Sequence, residues 1–65
     1  MIGLTEKVLY FAKRDNIIFH NEEELRSYII RMNLMDKLIH HAKGQVDFMI
    51  RRVFEVCHYW QKVEG

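Results

Sequence analysis

A heptad pattern of apolar residues runs through most of this chain, from Leu25 to Val63. The a positions are Leu25, Met32, Ile39, Val46, Val53 and Trp60, and the d positions are Tyr28, Met35, Ala42, Met49, Val56 and Val63. With 49% hydrophobic residues overall, so complete a pattern arises by chance on the order of once in a thousand sequences. The pattern therefore predicts amphipathic helix over this whole stretch.

Two helix-ending signals lie inside this pattern, at Asn33 and at the Lys43-Gly44 pair. Asn33 and Gly44 fall on outward heptad positions, and the phase of the apolar pattern continues through both signals. A real break between helices usually resets that phase, because loop residues need not follow a helical repeat. The sequence therefore favours one continuous or slightly kinked helix over residues 22–62, roughly 60 Å long.

A broken version of this helix is the alternative. In it, Asn33 caps a helix that has Asp36 at its third position, Gly44 closes that helix, and residues 46–62 form the last one. Many further apolar residues lie off the heptad seam, which is more typical of a bundle or a compact core than of a two-stranded coiled coil. Both versions are all-α, and the sequence leaves them open.

In the first third of the chain, the sequence predicts a short helix, a connector and the start of the next helix. Thr5 stands where a helix cap is expected, and the apolar spacing predicts a helix over residues 5–14. Residues 17–19 form an apolar connector that we expect to press side chains onto the core. Asn21 and Glu24 have the spacing of a capping box at the start of the second helix.

The short length of the chain points to a partner. A single domain of 65 residues buries only about 60% of the surface that its unfolded chain exposes, so it is marginal by itself. One cysteine cannot close an internal disulfide, and four histidines lack the spacing of a structural zinc site. We therefore expect a single helical domain, residues 1–65, that packs as a bundle or an oligomer, either with itself or with another protein.

The chemistry of the sequence predicts neither an enzyme nor a bound cofactor or metal. The chain has no glycine-rich turn, and Cys57 and His58 are neighbours that point about 100° apart on a helix. Glu55 and His58 have the i, i+3 spacing of di-metal bundles, and Asp36 with His40 form a second acid–histidine pair. Glu55, His58 and His40 fall on outer heptad positions, so we expect solvated side chains there and a part-buried, structural Cys57.

The heptad seam predicts a binding surface for protein, with Trp60 as its anchor. The predicted interface residues are Ile39, Ala42, Val46, Met49, Val53, Val56 and Trp60. The sequence thus favours a homo-oligomeric adaptor or a regulator that binds another protein through a helical face.

The competing hypothesis is a small nucleic-acid-binding regulator. A basic strip interleaved with aromatic residues would carry the contact, using Lys37, Lys43, Arg51 and Arg52. The net charge of +1 argues against it, because nucleic-acid binding usually requires a clear basic excess.

The amino terminus lacks the pattern of a signal peptide, and the sequence holds no apolar run long enough for a membrane span. Together with a lone thiol, this predicts a cytoplasmic protein that does not bind membranes.

Overall fold

The computed structural model describes residues 3–64, and all regular secondary structure within that range is helical. Helix α1 spans Leu4–Asp15, α2 spans Glu22–Arg31, α3 spans Met35–Ala42 and α4 spans Val46–Glu64. The predicted all-α fold is confirmed. Helix α4 lies at the centre of the packing, because α1, α2 and α3 all contact it.

The prediction of one continuous helix over residues 22–62 is wrong. Asn33, Lys43 and Gly44 adopt left-handed backbone angles, with φ of 62°, 50° and 92°, and these conformations end α2 and α3. The longest dimension of the molecule is 33 Å, far short of a rod of about 60 Å. Each break spans three residues, close to one helical turn, so the apolar phase persists in the sequence although the chain changes direction.

The broken alternative is therefore confirmed, although its predicted cap at α3 is wrong. The N-cap residue of α3 is Leu34, and no side chain bonds there. The amides of Asn33 and Leu34 instead donate to the carbonyls of Ile30 and Ile29, at 3.0 and 2.9 Å. Asn33 thus closes α2, because asparagine tolerates the left-handed angles that a helix end requires.

The two amino-terminal caps also differ in detail from the prediction. Helix α1 follows Gly3 at its N-cap, and Thr5 lies inside the first turn. At α2, the Asn21 side chain accepts a hydrogen bond from the Glu24 amide at 2.8 Å, as predicted. The Glu24 carboxylate reaches one residue farther back than in a standard capping box and accepts from the His20 amide at 2.9 Å.

The core uses only part of the heptad seam. Its largest fully buried side chains come from the connector and from α1, α2, α3 and α4, and they are Phe19, Leu25, Ile29, Leu38, Ile50, Val8, Val53 and Cys57. Ile29, Ile50 and Cys57 stand at position e and Leu38 at position g, beside the predicted seam. The buried face of α4 is therefore rotated away from the a and d residues, because α4 packs against three short helices rather than one long partner.

Helix α4 holds the connector between α1 and α2 by side-chain hydrogen bonds. The Gln61 side chain accepts from the Phe19 amide at 3.0 Å and donates to the Ile17 carbonyl at 2.9 Å. His58 Nδ1 donates to the Phe19 carbonyl at 3.1 Å. Phe19 is buried and Ile17 packs on the core, as predicted, whereas Ile18 points outward and is 56% exposed. These bonds fix the carboxyl-terminal half of α4 relative to the rest of the molecule.

Candidate protein-binding surface

Helix α4 has a second apolar face that residues 3–63, whose burial the structure describes, leave exposed. Successive helical residues point about 100° apart, so residues 48, 56, 59, 60 and 63 fall within an arc of about 120° beside the buried face. These exposed residues, which we call the α4 stripe, are Phe48, Val56, Tyr59, Trp60 and Val63. Arg52 lies in the same arc, and its side chain is exposed. The opposite edge of α4 is charged and carries Asp47, Arg51, Glu55 and Lys62.

A groove lies at the Trp60 end of the stripe. Trp60 and Gln61 form one wall, and α1 with the connector forms the other. The volume of this Trp60 groove is about 420 Å³, and its lining includes the exposed side chains of Tyr10 and Ile18. The apolar surface of α4 therefore continues onto α1 and the connector.

A second groove lies at the Phe48 end of the stripe, between α4, the end of α3 and the start of α1. Its volume is about 430 Å³, and we call it the Met49 groove. It is lined by Thr5, His41, Ala42, Gln45, Phe48, Met49, Arg52, Val53 and Val56. The stripe thus has a concave apolar site near one end and a large ring, Trp60, near the other.

The structure distributes the predicted interface residues over several places. Ala42, Met49 and Val56 meet in the Met49 groove, and Trp60 stands at the other end of the stripe. Ile39 is exposed on α3 outside both grooves, and Val46 packs against the core. Val53 is 1% exposed, so it belongs to the core of a single chain and forms only the floor of the Met49 groove.

The heptad pattern does not identify four exposed apolar residues, of which two belong to the stripe and two lie beside it. Phe48 and Tyr59 lie outside the a and d positions, and Tyr10 and Ile18 come from other parts of the chain. The helical arc of α4 alone could have identified Phe48 and Tyr59, since both fall within 120° of Val56 and Trp60. No sequence signal brings Tyr10 and Ile18 to the same edge, because that placement depends on how α1 packs.

Three of the four basic residues proposed to contact nucleic acid lie beside different parts of the molecule. Arg51 faces α2, where its Nε atom lies 3.8 Å from the Glu22 carboxylate. Arg52 points instead toward the Met49 groove. Lys37 of α3 lies beside Lys7 of α1, and its ammonium lowers the pKa of Lys7 by side-chain contact and charge repulsion. The α2-facing edge is further neutralised by an ion pair of 2.7 Å between Arg26 and Asp47.

Cys57 and His58 have separate structural roles. Burial raises the pKa of the Cys57 thiol to about 12, so the thiolate that nucleophilic chemistry needs is scarce at neutral pH. His58 binds the Phe19 carbonyl and stacks on Phe54, with 5.3 Å between ring centres. Within residues 3–64, no three histidine, cysteine, aspartate or glutamate side chains cluster so that they could hold a metal ion.

Among the helices described here, none combines the length and the apolar character that crossing a membrane requires. No protein-family model, curated protein or solved structure matches this chain. The α4 stripe and its two grooves are the candidate binding surface of this chain.

Proposed function

We propose that this chain acts by binding protein, as an oligomeric adaptor or a regulator, and that the α4 stripe is its binding surface. The observation that carries the proposal is the exposure of two adjacent aromatic rings on the central helix. Tyr59 is 62% exposed and Trp60 is 47% exposed, although the same helix buries Ile50, Val53 and Cys57. Tyrosine and tryptophan are the residues most enriched among those that dominate protein-binding energy.

The continuity of the exposed surface supports the proposal. Single exposed apolar residues are normal on any protein, whereas a contiguous apolar patch marks an interaction site. Here the stripe joins Tyr10 and Ile18 across the Trp60 groove and joins Ala42 and Met49 across the Met49 groove. A protein partner would bury aromatic rings and aliphatic side chains in one connected surface.

The test compares stripe variants with a control of the same chemical type elsewhere. Trp60→Ala truncates the anchor, and Ile30→Ala truncates an apolar residue of α2 that is 58% exposed outside the stripe. We expect Trp60→Ala to abolish both self-association and co-purification with cellular partners, and Ile30→Ala to preserve them. Circular dichroism shows whether each variant keeps its helices.

A Trp60→Ala variant that keeps all binding would contradict the proposal. Retention on DNA that falls steeply with salt and depends on Arg52 rather than on Trp60 would instead favour the nucleic-acid hypothesis.

A further inference from the structure

We propose that a second copy of this chain covers the α4 stripe. The two α4 helices run antiparallel about a two-fold axis that passes beside Val56, and Trp60 of each copy inserts into the Met49 groove of the other. This inference rests on the proposed function and identifies the partner. Four features of the stripe support it: its spacing, the position of its groove, its charge and its area.

Val56 lies near the middle of the arc of α4 that holds the stripe and Arg52. Arg52 and Trp60 lie four residues to either side, about 6 Å along the helix axis. Phe48 and Val63 lie eight and seven residues away, about 12 and 10 Å. In a two-fold interface, residue i of one copy contacts residue j of the other, and j contacts i. An antiparallel copy therefore places Trp60 at the level of Arg52 and Val63 at the level of Phe48. The small Val56 side chain allows close approach on the axis.

The Met49 groove lies where that arrangement delivers Trp60. Met49, Arg52, Val53 and Val56 are spaced i, i+3, i+4 and i+7, which are the four corners of a hole on a helix surface. All four line the Met49 groove, and its centre lies near the level of Arg52. Residues 52, 56 and 60 form an i±4 ridge, and two such ridges interdigitate at a crossing angle of about 50°. Trp60 of one copy then packs between the Arg52 and Val56 turns of the other.

The charge of Arg52 also supports a second copy of the chain as the partner. It is a charged residue within an apolar arc, so a wholly apolar partner would cover its guanidinium without compensation. The antiparallel copy presents the indole ring of Trp60 at the same level, and a guanidinium over an indole face is a favourable cation–π contact. The same chain thus supplies the group that Arg52 needs, twice in each dimer.

The stripe and the adjoining exposed residues approach the area of a small dimer interface. Phe48, Tyr59 and Trp60 are 58%, 62% and 47% exposed. Aromatic side chains of about 150–250 Å² each then leave roughly 250–400 Å² of open ring surface. Val56, Val63 and the adjoining Tyr10 and Ile18 extend this surface toward the roughly 600 Å² per partner at which specific interfaces begin.

The first measurement is molar mass in solution, by light scattering over about a hundredfold range of protein concentration. We expect the mass to rise from 8.0 kDa to twice that value. The chain has one tryptophan, so its emission reports Trp60 alone and should shift to shorter wavelength along the same concentration curve. A mass that stays at the monomer value, or that grows beyond the dimer, overturns the inference.

Cysteine crosslinking then tests the geometry. Val56→Cys places two thiols beside the axis, whereas Phe48→Cys places them about 24 Å apart along the helices, beyond the reach of a disulfide. We expect oxidation to link Val56→Cys into dimers and to leave Phe48→Cys as monomers. The wild-type chain, with Cys57 buried, is the control. Equal linking of both variants indicates parallel helices and overturns the proposed geometry.

Substitutions separate this inference from the proposed function. Trp60→Ala and Val56→Arg should each weaken the dimer by at least about thirtyfold, and Ile30→Arg should leave its dissociation constant unchanged. If the chain is monomeric and Trp60→Ala still abolishes capture of another protein, the second copy is rejected and protein binding stands. If Trp60→Ala affects neither, both proposals fail.

Discussion

Helix α4 has two apolar faces, of which one is buried and the other is exposed. One face, with Ile50, Val53 and Cys57, is covered by α1, α2 and α3 and forms the centre of the core. The other, with Val56 and Trp60, lies about a quarter-turn away and stays open. An apolar side chain on α4 is therefore not enough to make a residue part of the core. What decides burial is the number of elements available to cover the helix.

The other described elements cover only one side of α4. Three short helices cover α4 along one side, and the connector is fixed to the same side by Gln61 and His58. Covering the remaining arc would take another helix, which the described chain does not supply.

Thiol reactivity should give the largest contrast between the buried side of α4 and its open side. Burial raises the pKa of Cys57 to about 12, so at about pH 8 its thiolate fraction is roughly a thousandfold below that of an ordinary cysteine. A cysteine introduced by Glu55→Cys, on the exposed charged edge, should react at the ordinary rate. Stopped-flow labelling measures both rates. Similar rates for the two thiols would mean that the face around Cys57 opens readily.

Truncation of the two faces should differ strongly in its cost. Ile50→Ala leaves a cavity in the core and should lower the free energy of unfolding by about 2–5 kcal/mol, a large part of what a chain this small has. Val63→Ala, on the stripe at 60% exposure, should change it by less than about 0.5 kcal/mol. Urea unfolding followed by circular dichroism, at a concentration where the chain is monomeric, checks both. Equal losses would contradict the assignment of the two faces.

Removing the hydrogen bonds of Gln61 should lower the free energy of unfolding by less than truncating the buried Ile50 does. Gln61→Ala leaves the Phe19 amide and the Ile17 carbonyl without their partners, and we expect a loss of about 1–3 kcal/mol in the free energy of unfolding. Lys62→Ala, at the next and exposed position, is the control. If Gln61→Ala unfolds at the wild-type urea concentration, the burial of Phe19 and its hydrogen bond to His58 are enough to hold the connector.

Lowering the pH should have a smaller effect on stability, through the Asp15 carboxylate at the end of α1. The Arg14 guanidinium and then the Tyr28 hydroxyl bond the Asp15 carboxylate and hold the pKa of Asp15 below its usual value. Because the folded-state pKa is the lower one, the stabilisation is present above the unfolded-state pKa. It is lost as pH falls through the folded-state pKa.

Thermal unfolding from about pH 5 downward tests this linkage. We expect the melting temperature of the wild type to fall in acid and that of Asp15→Asn to fall less. Parallel curves for the two chains would show that the Asp15 contacts do not stabilise the folded state.

Local signals in the sequence predicted some helix ends and not others. Asn21 caps α2 as its spacing with Glu24 predicts, whereas Gly3 and Leu34, rather than Thr5 and Asn33, are the N-cap residues of α1 and α3. The heptad phase predicted a continuous helix and was wrong at Asn33 and Lys43-Gly44. A three-residue break preserves the phase, so periodicity alone cannot reveal it.

The candidate surface was predictable in part. Periodicity identified Val56 and Trp60 as members of an apolar face, and both lie on the stripe. It also included Val53, which the core of a single chain covers, and it omitted Phe48 and Tyr59. The reason is that a seam predicts an apolar face without stating whether the same chain or a partner will cover it.

The sequence by itself determined that this chain is all-α, because its apolar spacing, its caps and its lack of proline all favour helix. It also determined that the last helix is apolar over more than one side. Only the tertiary structure decided which side is covered. Burial is a property of the packed elements, and the left-handed turns at Asn33 and Lys43-Gly44 direct α2 and α3 onto one face of α4 and leave the other, with Trp60, exposed.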